Sequence, residues 1–179
     1  KITAASATAR QLAVSVDDRI RAITGPPSTA LAVLSHDPLA IADTLQQRLV
    51  RLPVVADILD SSDIVSAVYA GYANGDFFLL RKIRSSGATQ FPDAPTNAQY
   101  LLQSITRAAD GKSQSMWHFY DAGRTLLERR TPSDYHFDPR DRGWYELADA
   151  SSNTKLTAPY VFFTTGETGL TLSRRQAIA

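Results

Sequence analysis

Two adjacent residues, Asn74 and Gly75, place the strongest constraint on how this chain can fold. They separate two runs rich in β-branched and aromatic residues, 64–72 and 77–83. An Asn-Gly pair between two such runs is typical of a tight β-hairpin, because both residues tolerate the positive φ angles of a type I′ turn. The sequence therefore predicts an antiparallel hairpin over residues 64–83.

A second hairpin is predicted over residues 115–131, where an Ala-Gly pair separates two strand-like runs. Side chains alternate along a strand, so Trp117 and Phe119 are expected on one face of it. Residues 157–174 hold a third pair of strand-like runs around a turn that contains two glycines. The sequence thus predicts an antiparallel sheet of five to six strands.

The first part of the chain shows helical spacing instead. An apolar stripe predicts a helix that ends at the Gly-Pro-Pro break of residues 25–27, a second helix is predicted over about residues 39–52, and a third over residues 97–109. This order of elements indicates an α+β fold, with long N-terminal helices in residues 1–58 and a sheet with flanking helices in residues 59–179. The stripe consists of Leu12, Val16, Ile20 and Ile23.

Composition excludes several classes of protein. The 179 residues carry a net charge of +1, whereas nucleic-acid binding needs clustered basic residues, so no nucleic-acid partner is expected. The absence of cysteine excludes disulfides, thiolate metal sites and a cysteine nucleophile. No apolar run is long enough for a transmembrane helix and no signal-peptide pattern opens the chain, so we expect the numbering to begin inside a longer parent.

Patterns that carry catalytic or cofactor chemistry are also missing from the sequence. The three histidines are far apart and match no zinc spacing. Residues 111–113 (Gly-Lys-Ser) resemble the end of a phosphate-binding loop, but Thr106 stands where that motif needs glycine. No Gly-x-Ser-x-Gly elbow occurs in the sequence. We therefore expect no enzymatic activity in this chain, no cofactor and no metal.

One loop-like stretch, residues 137–145, combines two guanidiniums with three aromatic rings. Asp138 followed by Pro139 is typical of a helix start, because the carboxylate accepts backbone N–H groups and proline lacks one. The turn that begins there is expected to present Arg142 and Trp144 to a small anion, since a guanidinium grips a carboxylate with two hydrogen bonds. The alternative is structural: the arginines pair with neighbouring aspartates and the aromatic residues cover the sheet.

Together these motifs resemble the membrane-distal module of double Cache (dCache) domains, the PAS-like extracytoplasmic sensor domains of bacterial transmembrane receptors. Residues 68–77 resemble the first hairpin of that family and residues 117–123 the second. Residues 138–145 resemble its most specific signature, Asp-Pro-Arg-x-Arg-Pro-Trp-Tyr, and residues 159–171 resemble the closing strands. The resemblance covers nearly the whole chain and implies a PAS-like sheet.

The resemblance also implies a sensor, with a small ligand held between the sheet and the signature turn. In amine-binding members of the family, the arginine and tryptophan of the signature hold the ligand carboxylate, and here these residues are Arg142 and Trp144. The ligand-binding residues implied in this way are Arg142, Trp144, Tyr145, Tyr160, Trp117, Phe119 and Phe137.

Several positions depart from the family pattern and affect the expected ligand. Phe137 stands where amine-binding members have tyrosine, Phe162 lies where an acidic partner occurs, and Gly143 replaces the usual proline. An amino-acid ligand would have a partner for its carboxylate but none for its ammonium group, and a buried unpaired charge is costly. We therefore expect a small carboxylate or another polar metabolite.

The family resemblance implies a cellular setting as well. The parent is expected to be a membrane-anchored receptor of the inner membrane, with this chain in the periplasm and homodimerisation through the N-terminal helix. Residues 170–175 are most similar to cyclase-linked members, so an adenylate or guanylate cyclase is the expected output domain. The alternative is a structural dimerisation module without a ligand, in which Arg142 and Trp144 only brace the turn.

Overall fold

Helices pack on one face of a five-stranded antiparallel sheet in the computed structural model of this chain. The order of strands in the sheet follows their order in the chain, so each strand pairs with the next one. The predicted α+β class and the predicted antiparallel sheet are confirmed. The structure describes residues 2–83, 91, 93–133, 135–148 and 153–176.

The sheet consists of the two predicted hairpins and one strand between them. Gly75 has a φ of +84° in the turn of the first hairpin, whereas Asn74 has no positive φ, so the hairpin is confirmed but its turn is not type I′. The strands of the sheet are β1 (Ala67–Gly71), β2 (Phe77–Lys82), β3 (Tyr100–Arg107), β4 (Ser113–Tyr120) and β5 (Leu126–Arg130). The third predicted pair of strands is shorter than expected and forms two small antiparallel pairs, β6 (Lys155–Leu156) with β9 (Leu172–Ser173) and β7 (Tyr160–Val161) with β8 (Thr168–Gly169).

The helices lie mainly before the sheet in the chain. They are α1 (Ile2–Leu34), α2 (Leu45–Leu49), α3 (Leu52–Asp60) and α4 (Gly143–Leu147), with 3₁₀ turns at Pro38–Ile41 and Pro139–Asp141. The predicted division of the chain at residue 58 stays a prediction, and α3 spans that position.

The first helix continues through Pro26 and Pro27, so its predicted end at residues 25–27 is wrong. Neither proline can donate a backbone hydrogen bond, and the carbonyls of Ala22 and Ile23 therefore lose their usual partners. The helix persists because its last turns pack against the body of the protein, where Leu34 is buried. Packing of this kind, more than local propensity, decides where helices form.

The predicted helix over residues 39–52 is divided into shorter pieces. Thr44 begins α2 through a capping box with Gln47, which satisfies backbone N–H groups on both sides of the cap. Pro53 lies in the first turn of α3, where its missing N–H would have had no partner. Proline therefore starts a helix at this point and does not end one.

The predicted helix over residues 97–109 is also wrong, because these residues contain β3. Leu101, Leu102 and Ile105 have a spacing that fits a helix. All three are buried, and the strand has neighbours on both sides and contacts on both faces. A strand buried in this way shows no alternation of polar and apolar residues that would distinguish it from a helix.

The two faces of the sheet have different partners. One face, which we call the helix face, carries Phe78, Leu80 and Leu102 against the fully buried Val55 and Leu59 of α3. The opposite face carries the other set of side chains from the same strands, including Phe77, Leu79 and Arg81 of β2. The helix face forms the main core, and the opposite face is free to build a site.

A buried ion pair joins α2 to the first hairpin. Arg48 is completely buried, and its Nη1 donates to Asp76 at 2.8 Å while Nε and Nη2 donate to the Ala42 carbonyl at 3.1 and 3.0 Å. Its guanidinium also lies 3.8 Å from the centroid of the Tyr72 ring. The second carboxylate oxygen of Asp76 accepts the backbone N–H of Arg107 at 2.7 Å. Every polar group in this pair therefore has a partner, as a buried charge requires.

Replacing Arg48 with methionine is expected to lower the free energy of unfolding by about 3–5 kcal/mol, because Asp76 would remain as a buried carboxylate without its cation. The matched control is Arg21→Met, which breaks an exposed ion pair with Asp17 and is expected to cost less than about 0.5 kcal/mol. Urea unfolding of the two variants and the parent measures both values. Equal losses in the two variants would contradict the structural role assigned to Arg48.

Candidate ligand-binding site

The signature turn has the local structure that its sequence predicts. The side chain of Asp138 accepts the backbone N–H of Arg140 at 2.9 Å, and Pro139 occupies the first position of the 3₁₀ turn. Arg142 has an extended backbone between this turn and α4, which begins at Gly143. Two short helical turns therefore leave Arg142 at the bend between them.

A cavity of about 280 Å³ lies between the signature turn, the last turns of α1 and the face of the sheet opposite the helix face. Most of its wall is apolar or aromatic, and no aspartate, glutamate, lysine or histidine is found among the described residues that line it. The polar and charged side chains in the lining are Thr24, Ser66, Tyr69, Arg81, Tyr135, Arg142, Tyr160, Thr164 and Thr171, together with the indole of Trp144.

Arg142 reaches the cavity across two aromatic rings. Its guanidinium carbon lies 5.5 Å from the centroid of Phe137 and 5.4 Å from that of Phe163. Phe137 in turn packs on Phe77 of β2, with ring centroids 4.6 Å apart. Aromatic faces attract a cation without neutralising it, so Arg142 retains its full charge for an incoming anion.

Arg81 is a second guanidinium in the same cavity, and the sequence analysis did not identify it. Burial lowers its pKa, the charge of Glu167 acts in the opposite direction, and its Nε has no hydrogen-bond partner among the described residues. Arg81 and Arg142 both lower the pKa of Tyr135, whose pKa burial otherwise raises, so both charges act on the same hydroxyl group. No ion pair joins either arginine to a carboxylate of the described residues.

Hydroxyl groups line another part of the wall. The Tyr69 and Tyr160 phenols both hydrogen-bond to Thr171 Oγ1, the latter at 2.7 Å. Burial raises the pKa of Tyr69 well above its ordinary value, so this phenol stays protonated at neutral pH. Tyr135 hydrogen-bonds to Thr164 at 3.1 Å. These groups supply neutral polar contacts beside the two guanidiniums.

The structure brings together only part of the predicted site. Four of the seven residues line the cavity: Arg142, Trp144, Phe137 and Tyr160. Tyr145 does not line the cavity. Its ring packs beside that of Trp144, with the two ring centroids 5.8 Å apart. Trp117 and Phe119 share a face of β4, as predicted, but lie in a neighbouring apolar cluster with Phe91, Ala98 and Leu101.

Arg81 could have been found from the alternation along β2. Phe77, Leu79 and Arg81 point to the same face, because side chains two residues apart share a face of a strand. On the same face, Gln103 pairs with Leu79 on one side and Trp117 on the other. The Gln103 amide is buried with no hydrogen-bond partner at either end, and the same holds for the Trp117 indole nitrogen. Unpaired polar groups thus extend from Arg81 into the sheet.

An ion-pair network fixes the signature turn to the first hairpin. Arg107 donates to the Gly75 carbonyl at 3.0 Å and to Asp138 at 3.2 Å. The hydrogen bond from Arg140, together with the charges of Arg107 and Arg140, lowers the pKa of Asp138 to about 2. The carboxylate that caps the turn is therefore ionised at any pH near neutrality.

The chain is similar to part of one curated protein, adenylate cyclase 1 of Rhizobium meliloti (strain 1021). The two are 28% identical over 158 residues, which cover 88% of this chain and 24% of that cyclase. The chain thus spans about a quarter of the length of this relative. No family model matches the chain, and no solved structure matches it.

Two features are absent from the described residues, a membrane-spanning helix and a metal-binding cluster. None of the helices there combines the length and hydropathy needed to cross a membrane. No group of three or more histidine or carboxylate side chains in the described part of the chain is placed to hold a metal ion.

Gly71 is expected to be essential for the contact between β1 and the signature turn. A Cβ atom there would lie 2.8 Å from both Pro139 Cβ and the Trp144 ring, so Gly71→Ala should cost about 1–3 kcal/mol of unfolding free energy through overpacking. The matched control is Gly143→Ala, whose Cβ would meet nothing within 4 Å. Denaturant unfolding followed by tryptophan fluorescence measures both, and a neutral Gly71→Ala variant would contradict the close approach.

The lowered pKa of Asp138 predicts a specific loss of stability in acid. Because its folded pKa is about 2, below its ordinary value of 3.8, the charged carboxylate contributes stability that is complete above about pH 5 and is lost as the pH falls towards 2. The difference in unfolding free energy between the parent and Asp138→Asn should therefore shrink across that range. Urea unfolding as a function of pH tests this, and a difference that stays constant to pH 2 would refute it.

Proposed function

We propose that this chain is the sensing module of a signalling protein and that its cavity binds a small carboxylate. The observation that carries the proposal is the position of Arg142, which faces an apolar cavity whose described lining residues include no carboxylate. A guanidinium in such a setting binds a carboxylate strongly, because both hydrogen bonds form away from water. A volume of about 280 Å³ suits a small metabolite.

The absence of a carboxylate from the described lining favours an acid over an amino acid. An α-amino acid would bring an ammonium group into a wall that contains two guanidiniums, Arg81 and Arg142. Like charges held close together in an apolar site repel each other strongly. The same lining holds no general base of the aspartate, glutamate or histidine type, which supports binding and not catalysis as the role of this chain.

The setting of the module is inferred from resemblance. The dCache-like motifs support an extracytoplasmic, periplasmic position in a receptor anchored in the inner membrane. The similarity to part of adenylate cyclase 1 of Rhizobium meliloti supports a nucleotide cyclase as the output domain of the parent. The cyclase activity of the longer protein to which this chain would belong is therefore also a proposal.

Helix α1 is the element through which we expect the ligand to act. Its last turns, from Ile23 to Leu34, line the cavity, while its earlier turns expose an apolar stripe suited to a second copy of the chain. Pro26 and Pro27 lie near the start of the part that lines the cavity, and the helix lacks two backbone hydrogen bonds there. Ligand binding changes signalling only if it favours one position of this helix over another.

A second candidate function is a dimerisation module that binds no ligand. The observation in its favour is the packing of Arg142 on Phe137 and Phe163, which gives the guanidinium a structural role even in the absence of a ligand. In that case Arg142 only braces the signature turn.

A thermal-shift screen of small organic acids separates the two functions. If the module is a sensor, at least one acid should raise the melting temperature by several degrees, since a ligand at about 100 times its Kd adds about 2.7 kcal/mol of stability. Arg142→Gln should abolish that shift and leave the melting temperature without ligand almost unchanged.

The matched control is Arg129→Gln, which removes one exposed positive charge from β5, away from the cavity. It should retain the full shift. A screen without any shift, combined with strong destabilisation by Arg142→Gln, would establish the bracing role and reject the sensor.

A further inference from the structure

Arg81 gives the cavity a second cationic group on a different wall. Arg142 lies at the bend between two helical turns, whereas Arg81 projects from β2 within the sheet. The Arg81 side chain is held in place at a distance of 5.9 Å from the centroid of Phe91. Glu167 acts on Arg81 through its charge but forms no ion pair with it, so one carboxylate at Arg142 would leave Arg81 without an ion-pair partner among the described residues.

We propose that the ligand of this cavity is a small organic dianion, with one anionic group held by Arg142 and the other by Arg81. This inference rests on the proposed function and assigns Arg81 as a ligand-binding residue. The apolar lining between the two arginines, including Leu79 and Phe77, provides a surface for a carbon chain. A monoanion would satisfy only one of the two guanidiniums.

The polar groups behind Arg81 support the same assignment. Gln103 is 1% exposed, and neither its amide nitrogen nor its amide oxygen has a hydrogen-bond partner. The Arg81 Nε and Trp117 Nε1 donors are also unpartnered, and all three residues project from the same face of the sheet. Buried donors without partners are rare in folded proteins, and they are typical of places where a ligand or a bound water completes the structure. Of these three residues only Arg81 lines the cavity, so an anion bound there would accept from the Arg81 guanidinium.

Calorimetric titration of the whole chain with matched acids tests the proposal. Malonate, succinate and glutarate are compared with propionate, butyrate and pentanoate, the monoacids of equal chain length, at constant ionic strength so that screening is the same. The best diacid should bind at least about tenfold more tightly than its matched monoacid, because it forms one more charge-assisted contact. In Arg81→Gln the ratio of diacid affinity to monoacid affinity should fall to near one, while monoacid affinity stays within about threefold of the parent value.

Controls distinguish the sources of the effect. Arg81→Lys keeps the charge and should retain part of the diacid preference, and Arg129→Gln should retain all of it. Sulfate is included as a compact dianion: if it binds as tightly as the best diacid, both charges are held at one point and the ligand is not an extended diacid. The ratio of diacid affinity to monoacid affinity is measured in the parent chain alone. The proposal is therefore tested even if Arg81→Gln does not fold.

Two results would overturn the proposal in different ways. Equal binding of diacids and monoacids, both lost in Arg142→Gln, would reject the role of Arg81 and leave the proposed carboxylate sensor intact. A failure of every anion to bind the parent chain would reject the sensor itself and the dianion with it.

Discussion

The buried carboxylate of Asp76 is the interaction on which the rest of the structure depends. This carboxylate accepts hydrogen bonds from the Arg48 side chain of α2 and from the backbone N–H of Arg107 in β3. Asp76 itself comes directly after the turn of the first hairpin. Arg107 then extends the connection to Asp138, which caps the turn that holds Arg142. Asp76 and Arg107 thus connect the helices on the helix face to the candidate site.

This connection also explains why Gly75 must be glycine for reasons beyond its own turn. Its φ is +84°, and a Cβ atom there would overlap with Arg107 Nε. A side chain at this position would therefore strain the turn and displace the arginine that holds Asp138. The Asn-Gly signal that predicts the hairpin from sequence is, in the structure, also a condition for placing the site.

Features with local causes could be predicted from the sequence, and features with distant causes could not. The Asn74-Gly75 hairpin and the Asp138-Pro139 cap depend on residues that are neighbours in the chain, and both are confirmed. The helix through Pro26 depends on packing against strands far along the chain, which no local pattern reports. The alternation along β2 places Arg81 on the same face as Phe77 and Leu79, but no local pattern reports that the signature turn and α1 cover this face. Arg142 is predicted because Phe137 and Trp144 lie close to it in the sequence, whereas Phe163, the second ring beside its guanidinium, lies far along the chain and is not predicted.

The two arginines explain why an occupied cavity should differ in energy from an empty one. Arg81 and Arg142 both act on Tyr135, and the described residues that line their apolar enclosure include no carboxylate. Under the proposed function, a bound anion would supply the missing negative charge and contact the walls of the cavity. One of those walls is the last part of α1, from Ile23 to Leu34, which contains the two prolines that weaken the helix. Under the proposed function, ligand binding becomes a signal if the bound ligand favours one position of this helix over another.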